Sequence, residues 1–289
     1  MPERLSGERF EIPRPGGARI VGETYDPVGR VDPALPVVVL AHGWTLNRTL
    51  WSRVIRGLQE RLPIRVVAYD QRGHGESVPG SVAPSIRLLG EDLAAVIDEC
   101  GGRGRLVLCG HSMGGMTVMA YAGLHPADVI ARVAGVLLLG TAAADVSRPG
   151  WVGKIEMGVM HVAARGPRIP AGVFVTKRHQ RHLNFGDDAD PRDVALVRKA
   201  IAGTKIKDMG SYFTALEGMD ERASLAALAT VPTTIMVGSK DRLTPPPYAY
   251  ALHEGIPGSA LIEFPGKGHM LGYEATAEVV AQLIAYATP

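Results

Sequence analysis

Cysteine is nearly absent, two residues in 289, and this scarcity excludes a disulfide framework. Cys100 falls at the end of a predicted helix and Cys109 inside an apolar strand, so both read as buried or half-buried thiols. An excess of one charge is also lacking. With 31 basic against 29 acidic residues and a net charge of +2, no electrostatic field favours a polyanion, and nucleic acid is not expected as a partner. No apolar run reaches the length of a membrane span. The charged opening Met1–Arg9 has no apolar core of the kind a signal peptide needs, so the expectation is a soluble, cytoplasmic protein. No group of His, Cys, Asp and Glu has metal-ligand spacing, and no glycine-rich loop matches a phosphate or dinucleotide fingerprint, so neither a metal nor a cofactor is expected. Internal repeats and low-complexity tracts are missing too.

What is present is ordinary globular composition, 46% hydrophobic and 21% charged, in a chain long enough for one large core with an insertion. Residues 8–27 read as two short edge strands around the turn Pro15-Gly16-Gly17. Continuous apolar runs then recur: Val37–Ala41, Arg65–Tyr69, Arg105–Cys109 and Val133–Leu139, each of the kind found in strands buried on both faces. Between them lie helical stripes, Trp51, Val54, Ile55 and Leu58 in one, Ile86, Leu89, Leu93, Val96 and Ile97 in another. This alternation predicts a parallel sheet covered on both faces. It stops near Asp145. From there to Thr230 only helical spacings appear: Trp151, Ile155, Val159 and Val162, then Val194, Val197 and Ile201, then Met209, Tyr212, Phe213 and Leu216. The alternation resumes with Thr234–Val237, a helix near Pro246–Glu254, the strand Ala260–Phe264 and a last helix over about Glu274–Thr288. The expected organisation is therefore a core over residues 1–145 and 231–289, interrupted by a helical insertion at 146–230.

Gly110-His111-Ser112-Met113-Gly114-Gly115 joins the third of these strands to a predicted helix. Gly-x-Ser-x-Gly in that setting forces a sharp turn that exposes the serine oxygen, with glycines where side chains would collide. Ser112 is thus the candidate nucleophile. A serine hydroxyl needs a base, and the base needs an acid to orient it and stabilise the imidazolium. His269 lies in Gly266-Lys267-Gly268-His269 directly after the last strand, and Asp241 follows the strand Thr234–Val237. Functional groups gather at the carboxyl ends of parallel strands, and Ser…Asp…His is the chain order that accompanies such a turn. Asp145 is the alternative acid, weakened by its place at the entrance to the insertion.

Attack on a carbonyl also creates an oxyanion, whose backbone donors are worth about 3–4 kcal/mol of barrier. The expected donors are the amides of Met113, at a helix start, and of Trp44, after His42-Gly43. His42, His74, His111 and His125 read as loop-bonding or packing residues, and His161, His179, His182 and His253 as surface or cap residues. Candidates for a substrate pocket are Trp44, His111, Met113, Trp151, Met160, Tyr212 and Phe213, with Met157, Phe174 and Met209 among the other apolar positions of the insertion. Such walls favour an apolar acyl or alkyl group.

Taken in order, His42-Gly43-Trp44, Tyr69-Asp70-Gln71-Arg72-Gly73-His74-Gly75-Glu76-Ser77, Gly110–Gly115, Gly238–Pro245 and Gly266–Met270 resemble the motif set of the α/β-hydrolase superfamily over nearly all of the chain outside the insertion. The resemblance implies an eight-stranded, mostly parallel sheet with a helical cap after the sixth strand, and Ser112, Asp241 and His269 as nucleophile, acid and base. Serine at the turn speaks against the dehalogenase and epoxide hydrolase branches, whose nucleophile is aspartate. Esterases, lipases, thioesterases, carbon–carbon bond hydrolases and cofactor-free haloperoxidases share the motifs. The expectation is a serine hydrolase acting on a moderately apolar carboxylic ester, a small-molecule acyl substrate, as a monomer or homodimer. A pathway-specific thioesterase, acyl transferase or carbon–carbon hydrolase, and a non-catalytic binding protein, are the alternatives.

Overall fold

The computed structural model describes residues 5, 7–27, 29–146, 150–172 and 175–288, without the side chains of 150–153. The antiparallel strands β1 (Glu8–Arg14) and β2 (Ala18–Tyr25) come first, followed by β3 (Val37–Ala41), α1 (Ser52–Gln59), β4 (Val66–Asp70), α2 (Ile86–Cys100), β5 (Leu106–His111) and α3 (Met113–Leu124). A short helix α4 (Pro126–Arg132), which the apolar spacing did not announce, leads into β6 (Val133–Leu139). Four helices follow, α5 (Gly150–Ala164), α6 (Lys177–Asn184), α7 (Pro191–Gly203) and α8 (Ile206–Glu217), then the single turn α9 (Leu225–Leu228). The chain closes with β7 (Thr233–Gly238), α10 (Pro246–Gly255), β8 (Ala260–Phe264), α11 (Leu271–Glu274) and α12 (Thr276–Ala287).

The eight strands form one sheet in the order β1-β2-β4-β3-β5-β6-β7-β8. From β4 to β8 every neighbouring pair is parallel, and only β1 and β2 run against their neighbours. Pro13, which cannot donate to a ladder, sits on the edge strand β1, where that costs least. Successive side chains of a strand alternate between faces. Val39, Ala41, Leu106, Leu108, Val136 and Leu138 accordingly pack on the side of α2 and α3, while Val38, Leu40, Val107, Cys109, Leu137 and Leu139 pack on the side of α1 and α12. A strand buried on both faces must be apolar throughout, hence the unbroken runs.

Strand order reverses between β3 and β5: the chain leaves β3 for β4 on one side, then crosses back to β5 on the other. The loops that follow the two strands therefore diverge and leave a crevice at their carboxyl ends. Ser112 and Trp44 stand at that crevice, directly after β5 and a short loop after β3.

The insertion is helical where the apolar spacing predicts helices, but that spacing does not mark the buried face of α5. Ile155, Val159 and Val162 of α5, an apolar series at helical spacing, are exposed at 58%, 57% and 72%. The buried contact of α5 is instead made by backbone around Met160 and Ala163, against which Gly210 of α8 lies so closely that a Cβ would have no room. Helix-to-helix backbone proximity, allowed by a glycine, decided the orientation here. Among the described residues no helix is long and apolar enough to cross a membrane, and no group of three or more His, Cys, Asp or Glu is placed to hold a metal.

Candidate active site

Ser112 occupies φ 54°, ψ −122°, a conformation that side-chain-bearing residues rarely adopt. The strain is held by its surroundings. A Cβ on Gly110 would strike the backbone of Gly114, and one on Gly114 would strike the Ala41 carbonyl of β3. The Ser112 amide donates to Leu139 O at 2.9 Å, and Thr141 Oγ1 donates to Ser112 O at 2.7 Å. Ser112 stays half-buried while its neighbours His111 and Met113 are buried. The turn thus lifts one hydroxyl out of an otherwise closed core.

The loops after β7 and β8 bring Asp241 and His269 together. His269 Nδ1–H donates to Asp241 Oδ2 at 2.8 Å, with both side chains almost wholly buried. That bond places the imidazole lone pair on Nε2, the nitrogen a base must present. Asp241 accepts three further bonds: the amides of Leu243 and Thr244 reach Oδ1 at 2.9 Å each, and Thr244 Oγ1 reaches Oδ2 at 3.0 Å. Burial pushes this carboxyl up, but the neighbouring His269 charge and these donors outweigh it, and its pKa lies below the usual aspartate value. His269 is also held through its backbone. Its amide donates to Asn184 O at 2.9 Å, and its carbonyl accepts from His111 Nε2–H at 2.8 Å. Ser112 and His269 border one cavity; among the described residues no hydrogen bond yet joins them. Such bonds commonly tighten only when substrate binds. Asp145, the alternative acid, is elsewhere, its side chain 81% exposed beside Arg222.

Neither the Trp44 nor the Met113 amide donates to another described residue. Trp44 is steered into place by Thr45, which adopts φ 61°, and by its own indole, which donates to Met209 O of α8 at 3.1 Å. Below this loop runs a buried network: Gln71 N donates to His42 Nε2 at 2.8 Å, Gln71 Nε2 donates to the His42 carbonyl, and Thr117 Oγ1 of α3 donates to Gln71 Oε1 at 2.7 Å. Gln71 and Thr117 thus couple the two loops bearing the free amides. Inspection of the sequence missed Thr117, although a threonine on an apolar helix beside a reactive turn is a signal worth weighing. His42 and His74, 0% and 1% exposed, are pushed down by burial to pKa about 4 and about 3. They remain neutral and do not move protons near pH 7.

Two cavities meet at Ser112. The larger, about 410 Å³, is bordered by Trp44, His111, Met160, Met209, Leu243 and His269, among others. The smaller, about 90 Å³, is bordered by Trp44, Met116, Met157, Phe213 and Leu216. Trp44, His111, Met160 and Phe213 therefore border open space beside Ser112, and so does His179, an exposed residue of α6 as the surface-or-cap reading expects. Two pocket candidates need correction. Met113 is wholly buried in the core beside α2, so its side chain borders neither cavity. Tyr212 is also buried, its ring 5.0 Å from that of His74. Consecutive residues on a helix point about 100° apart, so Tyr212 and Phe213 cannot share a wall, and it is Phe213 that packs on Trp44 at 5.6 Å. The Trp151 side chain and Phe174 lie outside the described residues.

Comparison with known proteins places the fold and the family. The chain is 30% identical over 214 residues to 3-oxoadipate enol-lactonase 1 of Acinetobacter baylyi, 72% of this chain and 73% of that protein. It is 28% identical over 248 residues to an AB hydrolase superfamily protein, YisY, of Bacillus subtilis, 84% of this chain and 88% of that one. An esterase from Exiguobacterium antarcticum shares its fold with a TM-score of 0.79 at 23% identity, over 96% of this chain and 98% of that one. An enol-lactonase from Burkholderia xenovorans does so at 0.79 and 24%, over 97% and 100%. The model of the alpha/beta hydrolase family matches residues 38–283, and the chain belongs to that family.

Proposed function

We propose that the protein is a serine hydrolase that cleaves a moderately apolar carboxylic ester through an acyl-enzyme. Ser112 Oγ attacks the carbonyl carbon while His269 Nε2 takes its proton. Asp241 holds the ring and stabilises the imidazolium it becomes. The oxyanion is received by the amides of Trp44 and Met113. His269 then returns the proton to the leaving alcohol, and water, activated by the same imidazole, releases the acid. Residues 146–230 serve as a cap that supplies most of the pocket wall. The observation that carries the reading is the strained Ser112 set beside a buried His269–Asp241 pair, with two unspent amides at the same crevice.

In the test, Ser112→Ala should abolish hydrolysis of short p-nitrophenyl esters, a loss of 10³-fold or more on the order expected for a missing nucleophile, with unchanged circular dichroism. A fluorophosphonate should label Ser112 in the folded wild type and not in the variant. Turnover that survives the substitution would sink the assignment. The enol-lactonase among the relatives favours one variant of the reading, a cyclic ester as substrate; a lactone panel run beside open-chain esters separates the two.

A further inference from the structure

The two cavities are unequal, and only one of them contains the proton donor. We infer that the substrate divides across Ser112, with a short acyl group in the small chamber and a bulkier apolar alcohol in the large one. The inference rests on the serine hydrolase reading and adds which half of the ester is large.

Four directions leave the carbonyl carbon once Ser112 has attacked. One is the new bond to Oγ. The second is the oxyanion, directed to the amides of Trp44 and Met113. The third is the leaving oxygen, which must come within about 2.6–3.2 Å of the nitrogen that protonates it. His269 borders the large cavity and not the small one, so the alcohol portion lies in the large cavity. The carbon chain of the acid takes the direction that remains, into the chamber bordered by Met116, Val146, Met157, Phe213 and Leu216. The chemistry balances on this arrangement. The Oγ–carbon bond forms as the Oγ proton passes to His269, and the carbon–oxygen bond to the alcohol breaks with its electron pair moving to that oxygen, which takes the same proton. Water supplies the proton and hydroxyl of the second half.

Volume then sets selectivity. The acyl chamber holds about 90 Å³ against about 410 Å³ on the alcohol side, and Met116 of α3, 2% exposed, is part of its border. Long acyl chains exceed the smaller volume, whereas a long alcohol finds the apolar wall of Met160, Leu183, Ile206 and Met209.

Hexyl acetate and methyl heptanoate are isomers that place the same chain on opposite sides of the ester. With wild-type protein, kcat/KM for hexyl acetate should exceed that for methyl heptanoate at least tenfold; an equal or reversed ratio overturns the inference. Met157→Ala, which enlarges the small chamber, should raise methyl heptanoate relative to hexyl acetate. Leu183→Trp, which fills the large one, should lower hexyl acetate at least fivefold more than methyl acetate. The opposite response of either variant counts against the assignment. If neither isomer is turned over while p-nitrophenyl esters still are, the division of the site is overturned; if the p-nitrophenyl esters are not turned over either, the ester-hydrolase reading falls with it.

Discussion

Thr244 reaches Asp241 twice, through its amide at 2.9 Å and its hydroxyl at 3.0 Å. Among the described residues the hydroxyl is the one donor on Asp241, besides His269, that a side-chain substitution can remove, and it also lies 3.3 Å from His269 Nδ1, so it reports what holding the pair is worth. Thr244→Val keeps the shape and both amides and loses one hydrogen bond to a charged carboxylate, about 1.5–3 kcal/mol. Steady-state kinetics should show kcat/KM falling about tenfold or more, with Thr244→Ser retaining most of it. At this scale the strained turn at Ser112 and the pairing of Asp241 with His269 were legible because their motifs are specific and their order along the chain is informative. Their supports were less so. Asn184 and His111 hold His269 through backbone atoms, and a backbone contact across 85 or 158 positions leaves little trace in residue type.

The element that most depends on a single charge is α2. Asp92 is 1% exposed and accepts from Arg72, itself fully buried, at 2.7 and 2.6 Å, and from Arg14 of β1 at 2.9 Å. One carboxylate thus joins the edge strand, the loop after β4 and the helix. Asp92→Leu would leave the Arg72 guanidinium uncompensated in the core, and urea unfolding should show a loss of about 3–5 kcal/mol. The pair was half legible. Asp92 falls three residues after Leu89 and four before Val96, on the apolar stripe of its helix, and an acid there requires a buried cation; which cation was hidden, since Arg72 lies in a loop. The stripe itself was read correctly because α2 packs by side chains. Helix α5 was legible as a helix but its buried face was not, because its packing is governed by how near a glycine lets another backbone come, which apolar spacing does not encode.

For the molecule as a whole, three buried histidines set the response to acid. Burial pushes His42 down to about 4 and His74 and His111 to about 3, while an unfolded histidine titrates near 6.5. Below about pH 6.5 the unfolded chain therefore binds protons that the folded one refuses, and stability falls as pH drops toward 4. Each histidine contributes about 1.4 kcal/mol of loss between pH 7.5 and 5.5, about 4 kcal/mol for the three. Asp241 works in a lower window: its depressed pKa stabilises the fold above the unfolded aspartate value near 3.9 and is lost only below it. Denaturant unfolding at pH 7.5 and 5.5 checks this, and His74→Gln should remove about a third of the difference. The sheet was legible at this scale because buried parallel strands need unbroken apolar runs. Cavity shape was not, since it is set by which faces of α5 to α8 turn inward.

Segment 184–187 ties the inserted helices to the loop that carries His269. Asn184 O accepts the His269 amide, Asp187 N donates to Gly266 O, and Gly186 donates to Glu274 while lying so close to Gly266 that any larger residue would part them. For anyone wishing to graft the specificity of one relative onto another, the exchangeable cassette is therefore shorter than the stretch between β6 and β7. Residues 184–187 would have to stay in place, since a graft that replaced them would carry away part of the mounting of the His269 loop and bring a displaced imidazole with the new substrate range.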